Sequence, residues 1–98
     1  MTAYLIASIT VTDPERYQDY RAQVAPVVER HGGRFLVRAG AIHPLEGDLG
    51  FDRCVVIEFA SLDAARRFYD SAEYAPLLAL RIASTHSRVA FVEGYAPG

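Results

Sequence analysis

Glu58, Arg38, Tyr74 and Arg81 are the residues whose types and settings in this chain best suit chemistry. Glu58 interrupts the apolar run Arg53-Cys54-Val55-Val56-Ile57-Glu58-Phe59, where a carboxylate is at least partly desolvated. An acid in such a place is held by a cation or put to work on a proton or a ligand. Glu58 is therefore the first catalytic candidate, and a structural ion pair with Arg34, Arg38, Arg53 or Arg88 is the alternative. Arg38 sits in the strand-like run from Arg34 to Ala41. There its planar fork would grip an anionic ligand bidentately, or simply border the sheet. Tyr74 and Arg81 stand seven residues apart, two helical turns, and so share one face of a helix. Both are ligand-binding candidates, although core packing with its hydroxyl at the surface also explains Tyr74. Tyr4, on the more polar side of the first apolar run, is a further candidate for a cavity wall. His43, beside Pro44, suits an acid, a base or a haem ligand. Tyr17, Tyr20 and Tyr69 recur at spacings that suit core packing.

Much other chemistry is excluded. All 10 basic residues are arginines, so neither a Schiff-base lysine nor a P-loop lysine exists. The histidines His31, His43 and His86 occur singly, without the spacing of a zinc site, and no metal is expected. His31 ends a helical pattern, where the helix dipole favours an imidazolium. No glycine run resembles a dinucleotide fingerprint, no serine sits in a nucleophile elbow, and no cofactor is implied. The single cysteine, Cys54, cannot form an intrachain disulfide and reads as a small buried residue. A net charge of -2 argues against a nucleic-acid partner. An RNA-recognition motif shares the element order found below, but Val55 and Ile57 cannot stack bases as its exposed aromatics do. No segment reaches the roughly 20 apolar residues of a membrane span, and the expected setting is the cytoplasm.

The elements that must position these residues are legible. Ala3 to Val11 alternates Leu5, Ala7, Ile9 and Val11 with Tyr4, Ile6, Ser8 and Thr10, which predicts a strand. Thr12-Asp13-Pro14-Glu15 offers a capping box with proline in the first turn. Tyr17, Tyr20, Val24, Val27 and His31 then follow at helical spacing, until Gly32-Gly33 ends the helix. Pro26 lies inside it and predicts a kink or a locally widened turn. Arg34 to Ala41 predicts a strand, Ile42 to Asp52 a long loop, and Arg53 to Phe59 a third strand. Ser61 can cap a second helix, in which Ala64, Ala65, Phe68 and Tyr69 make the buried stripe. Ser71 can cap another that carries Tyr74, Leu77, Leu78 and Arg81. Arg88 to Tyr95 predicts the last strand, and Ala96-Pro97-Gly98 a loose tail.

The order is βαββαβ: a single α+β domain spanning 1–98, ferredoxin-like, with one four-stranded antiparallel sheet and the helices on one face. The predicted strand order is four-one-three-two. Its third strand is apolar on both sides, so the open face exposes either Val55, Ile57 and Phe59 or else Cys54 and Val56. A chain of 98 residues is a marginal monomer, burying only about 60–65% of its unfolded surface. A second copy packed on the open sheet face, a homodimer, is the expected partner.

The chain resembles the DUF1330 family of the dimeric α+β barrel superfamily. The likeness runs nearly end to end. It is carried by Thr12-Asp13-Pro14, Tyr17, Tyr20, His31-Gly32-Gly33-Arg34-Phe35-Leu36, Arg38, Glu46-Gly47, Glu58-Phe59, Phe68-Tyr69, Ser71-Ala72-Glu73-Tyr74-Ala75-Pro76-Leu77, Arg81 and Val92-Glu93-Gly94. Ala39 departs from it, since such sequences often carry a second glycine beside Gly40. The resemblance implies a dimeric barrel but no single reaction: relatives include cofactor-free monooxygenases, isomerases, haem-dependent enzymes and ligand sensors. The expectation is a homodimeric, cofactor-independent enzyme acting on a small organic metabolite, anionic or aromatic, around Glu58, Arg38 and Tyr4. The alternative is a noncatalytic ligand-binding or assembly module.

Overall fold

The computed structural model describes residues 1–96; Pro97 and Gly98, with most of the expected loose tail, lie outside the described residues. The elements are β1 (Ala3–Val11), α1 (Pro14–Arg30), β2 (Arg34–Arg38), β3 (Arg53–Phe59), α2 (Leu62–Tyr69), α3 (Ala75–Ser84) and β4 (Thr85–Glu93). The strands form one antiparallel sheet in the order β2-β3-β1-β4, the ferredoxin-like arrangement expected from the element order.

Local chemistry sets the boundaries. Asp13, rather than Thr12, caps α1: its carboxylate accepts from the Arg16 backbone N–H at 3.3 Å, with Pro14 in the first turn. The helix continues through Pro26, whose exposed ring lies on the solvent side. Ser71 does not begin α3. Its hydroxyl donates to the Phe68 carbonyl at 2.7 Å and accepts from the Tyr74 N–H at 3.1 Å, so it ties the turn between α2 and α3. β2 stops at Arg38, because Ala39 takes a φ of 58°, a left-handed conformation that ends the pleat. β4 starts at Thr85, three residues earlier than its apolar pattern suggests, because Thr85 pairs with Val11.

Burial settles which side of each strand is covered. Leu5, Ala7 and Ile9 of β1 and Val55, Ile57 and Phe59 of β3 are buried under the helices. Of the two sides of β3, Cys54 and Val56 therefore take the open one. Phe59, 1% exposed, lies 5.4 Å from Phe68, which lies 4.5 Å from Tyr74, all between ring centroids. A Cβ on Gly33 would come within 2.7 Å of both Phe59 and Val28, so glycine lets the α1–β2 turn close over this core.

The open face is partly strapped. The 39–52 loop crosses it, with the Gly50 carbonyl accepting from Ser8 Oγ at 3.2 Å and from Arg88 Nη2 at 2.9 Å. Asp52 accepts from Thr10 Oγ1 at 2.5 Å. Leu49, Val37 and Val92 remain exposed.

Candidate functional site

A cavity lies between the sheet and the helices. Its floor is Leu5, Ala7 and Ile9 of β1 with Val55 and Ile57 of β3, and it is closed from above by Tyr17 and Tyr20 of α1, Arg81 of α3 and Tyr74, the N-cap of α3. About 40 Å³ of it is free, space for about three waters and roughly a quarter of the ~150 Å³ of an apolar cavity that takes a benzene ring, so an aromatic ligand enters only as the walls part. Among the described residues, four arginines line it, Arg21, Arg38, Arg53 and Arg81, together with four tyrosines, and no aspartate, glutamate or histidine does.

Arg81 sits deepest. Tyr74 precedes it by two turns, as the sequence spacing implies, and Arg81 Nε donates to the Tyr74 hydroxyl at 3.4 Å. Arg81 Nη2 donates to the Tyr69 hydroxyl at 3.2 Å, and the Tyr74 and Tyr20 hydroxyls share a hydrogen bond of 2.9 Å. The residue is only 5% exposed, yet no carboxylate among the described residues pairs with it. Burial opposes its charge; Tyr74, then Tyr20 and Tyr69, raise its pKa above the ordinary arginine value, but the counter-charge of a phenol exists only at the high pH where it ionises, and at neutral pH these partners are uncharged. Burial, then the neighbouring Tyr74, pushes the Tyr20 phenol far above its ordinary value, so it keeps its proton. The result is a buried cation with phenol donors beside it and N–H groups to spare, an arrangement that receives an oxyanion. Arg81 and Tyr69 also border a surface recess with Thr85, His86 and Ser87.

Arg38 reaches the same cavity because β2 is irregular. Arg34 opposes Glu58 on the open face, and strict alternation would send Arg38 to that face too. The register instead shifts between Phe35 and Val37, so that Arg38 opposes the buried Val55. Its guanidinium lies 4.6 Å from the Phe35 ring centroid and donates to the Arg21 carbonyl at 2.8 Å. Arg53 opposes Ile9 on the helix side and lies over the Tyr17 ring at 5.4 Å.

The sequence candidates thus divide into three places. Arg38, Tyr74 and Arg81 meet in the cavity. Glu58 and Tyr4 oppose each other on the other side of the sheet, where Glu58 accepts from Arg34 Nη2 at 2.9 Å. His43 is exposed in the 39–52 loop with no hydrogen-bond partner there among the described residues. Tyr20, Tyr69, Arg21 and Arg53 were not among the site candidates. Their signal was present only as arginines without an acidic partner, and helical spacing on its own cannot tell a cavity-lining tyrosine from a packed one.

Residues 2–95 match a domain of unknown function, DUF1330. The chain belongs to the DUF1330 family. No functionally curated protein matches it. Among solved structures, it is similar to a protein of unknown function from Rhodopseudomonas palustris, with a TM-score of 0.77 and 19% identity over 98% of this chain and 84% of that one. It is also similar to SnoaB from Streptomyces nogalater, a cofactor-independent oxygenase, with a TM-score of 0.66 and 19% identity over 98% of this chain and 95% of SnoaB. A dimeric ferredoxin-like protein of unknown function from Thermobifida fusca gives a TM-score of 0.58 and 16% identity over 94% of this chain and 90% of its own. At such identities the likenesses show the ferredoxin-like α+β fold and nothing finer. Among the described residues of this DUF1330 protein, no helix is long and apolar enough to cross a membrane, and no group of metal-ligating side chains clusters.

Proposed function

We propose that this protein binds a small organic anion with a flat, apolar body in the cavity between sheet and helices, which opens on the side of the exposed Arg21 and Arg38 to admit it, with the anion on Arg81 and Tyr74. The observation that carries this reading is Arg81 itself, a residue 5% exposed whose guanidinium has neutral hydroxyls as its protein partners. A buried charge is expensive without a counter-charge, and a ligand supplies one. The apolar floor and the tyrosine roof suit a ring or a conjugated chain.

The working form is a homodimer through the open sheet face. The exposed Val37, Val92 and Leu49 and the dimeric Thermobifida relative support it.

Any reaction in this cavity is one that oxyanion stabilisation alone can drive. Its titratable wall consists of arginines and tyrosines, and neither type is an ordinary base at neutral pH. A substrate acidic enough to lose its proton to water as an enolate or phenolate meets that condition, and the likeness to SnoaB, described as a cofactor-independent oxygenase, is in keeping with turnover without a cofactor. The lack of an ordinary base equally favours a noncatalytic binding module using the same cavity.

Thermal melts with a panel of aromatic acids, enolisable diketones and neutral arenes of matched size test the reading. Acids and enols should raise the melting temperature in proportion to the logarithm of their concentration, and matched neutral arenes should not. Equal stabilisation by the neutral arenes would refute the anionic class.

A further inference from the structure

The cavity has a second cationic pole. Arg53 at the start of β3 and Arg38 on β2 both rise from the helix-facing side of the β2–β3 half of the sheet. Arg53 Nε is buried with no hydrogen-bond partner among the described residues. Such groups are rare in folded proteins and mark a strained, functional or ligand-satisfied site. Arg38 is aimed at the same wall only through the β-bulge, and among the described residues its side chain's sole hydrogen bond is to the Arg21 carbonyl. Arg81 occupies the opposite flank: Tyr69, which accepts from it, packs edge-on against Phe91 of β4 with ring centroids 5.9 Å apart. Only β1 separates β3 from β4, a lateral span of roughly 10 Å at the usual strand spacing. The floor between the poles is aliphatic, and no acidic side chain lines it to repel a second negative charge.

We propose that the ligand is a bipolar organic dianion: a flat apolar body with an anionic oxygen group at each end, one held by Arg81 and Tyr74, the other by Arg53 and Arg38. This rests on the reading that the cavity takes an organic anion, and narrows that anion to a class.

Isothermal titration calorimetry of the whole chain with benzoate and with terephthalate, at matched ionic strength, tests it. Terephthalate should bind at least about tenfold more tightly, the worth of one added charge-assisted contact. Arg53→Met and Arg38→Met should each pull the ratio of the two affinities toward one, while Arg81→Met weakens both acids. Arg38 is exposed, so its variant keeps the test decisive even where Arg53→Met folds poorly. Benzoate binding with terephthalate no tighter would overturn the second pole and leave the anion reading standing. A preference for terephthalate that persists in both variants would equally overturn the assignment of that pole to Arg53 and Arg38. Binding of neither acid would overturn the anion reading, and this proposal with it.

Discussion

Arg81→Met should leave the fold nearly as stable as before and remove most of its affinity for an anion. In the parent, Arg81 makes two hydrogen bonds to neutral hydroxyls, at 3.4 Å to Tyr74 and 3.2 Å to Tyr69. At those lengths, near the outer limit for N–H···O bonds, together they contribute about 1.5–3 kcal/mol. Burying the guanidinium opposes folding by several kcal/mol, a cost that methionine of similar length does not carry. The substitution strands no partner. Tyr74 keeps its 2.9 Å bond to Tyr20, and the partly exposed Tyr69 hydroxyl reaches water through the recess it borders. The opposing terms nearly cancel, so urea denaturation should show a change within about 1.5 kcal/mol in either direction at unchanged m-value. Benzoate affinity should fall by about tenfold or more, the worth of a charge-assisted contact. A stability loss of about 3–5 kcal/mol with benzoate affinity intact would mean that Arg81 is a structural residue, and would refute this reasoning.

Three further outcomes follow from the packing. Val55→Asp places a charge under the helices and should unfold the protein. Val56→Asp, on the open face, should leave it folded but at the monomer mass of 10.8 kDa by light scattering; a dimeric Val56→Asp variant would exclude the open face as the interface. Gly33→Ala should lower stability by about 1–3 kcal/mol, because its Cβ meets Phe59 and Val28 at 2.7 Å; an unchanged melt would contradict the close approach described here. The Tyr20 pKa is raised from 10.0 by burial, so above about pH 10 the folded state retains a proton that the unfolded state releases. Stability from this group is therefore complete below that pH and declines as pH rises beyond it, and the decline should be shallower in Tyr20→Phe. Denaturation midpoints measured between pH 8 and 11 check the sign, and an equally steep decline in both proteins would remove Tyr20 as its cause.

The fold was legible because each element carries its own local signal. Strict alternation in β1 and the apolar β3 gave the central strands, and the βαββαβ order left only one sensible strand order. The boundaries that moved did so for local reasons: Asp13 outcompetes Thr12 as the cap, and Ala39 turns the chain out of β2. The site was harder to read. Tyr74 and Arg81 share a helical face whatever surrounds them, so their pairing was visible. The face taken by Glu58 was not, since both sides of β3 are apolar and parity alone decides whether the carboxylate meets the helices or the open face. Arg38 changes face through a bulge that leaves no mark in the residue pattern. Arg53 and Tyr20 became visible as site residues only once burial showed one without a partner and the other within a hydrogen-bonded chain.

The most direct test of the central claim is a crystal structure of the protein soaked with benzoate. Density for the ring is expected over Leu5, Ala7 and Ile57, with the carboxylate within hydrogen-bonding distance of Arg81 and Tyr74. Density on the open sheet face beside Glu58 and Arg34, or an unchanged cavity at benzoate concentrations that shift the thermal melt, would contradict it.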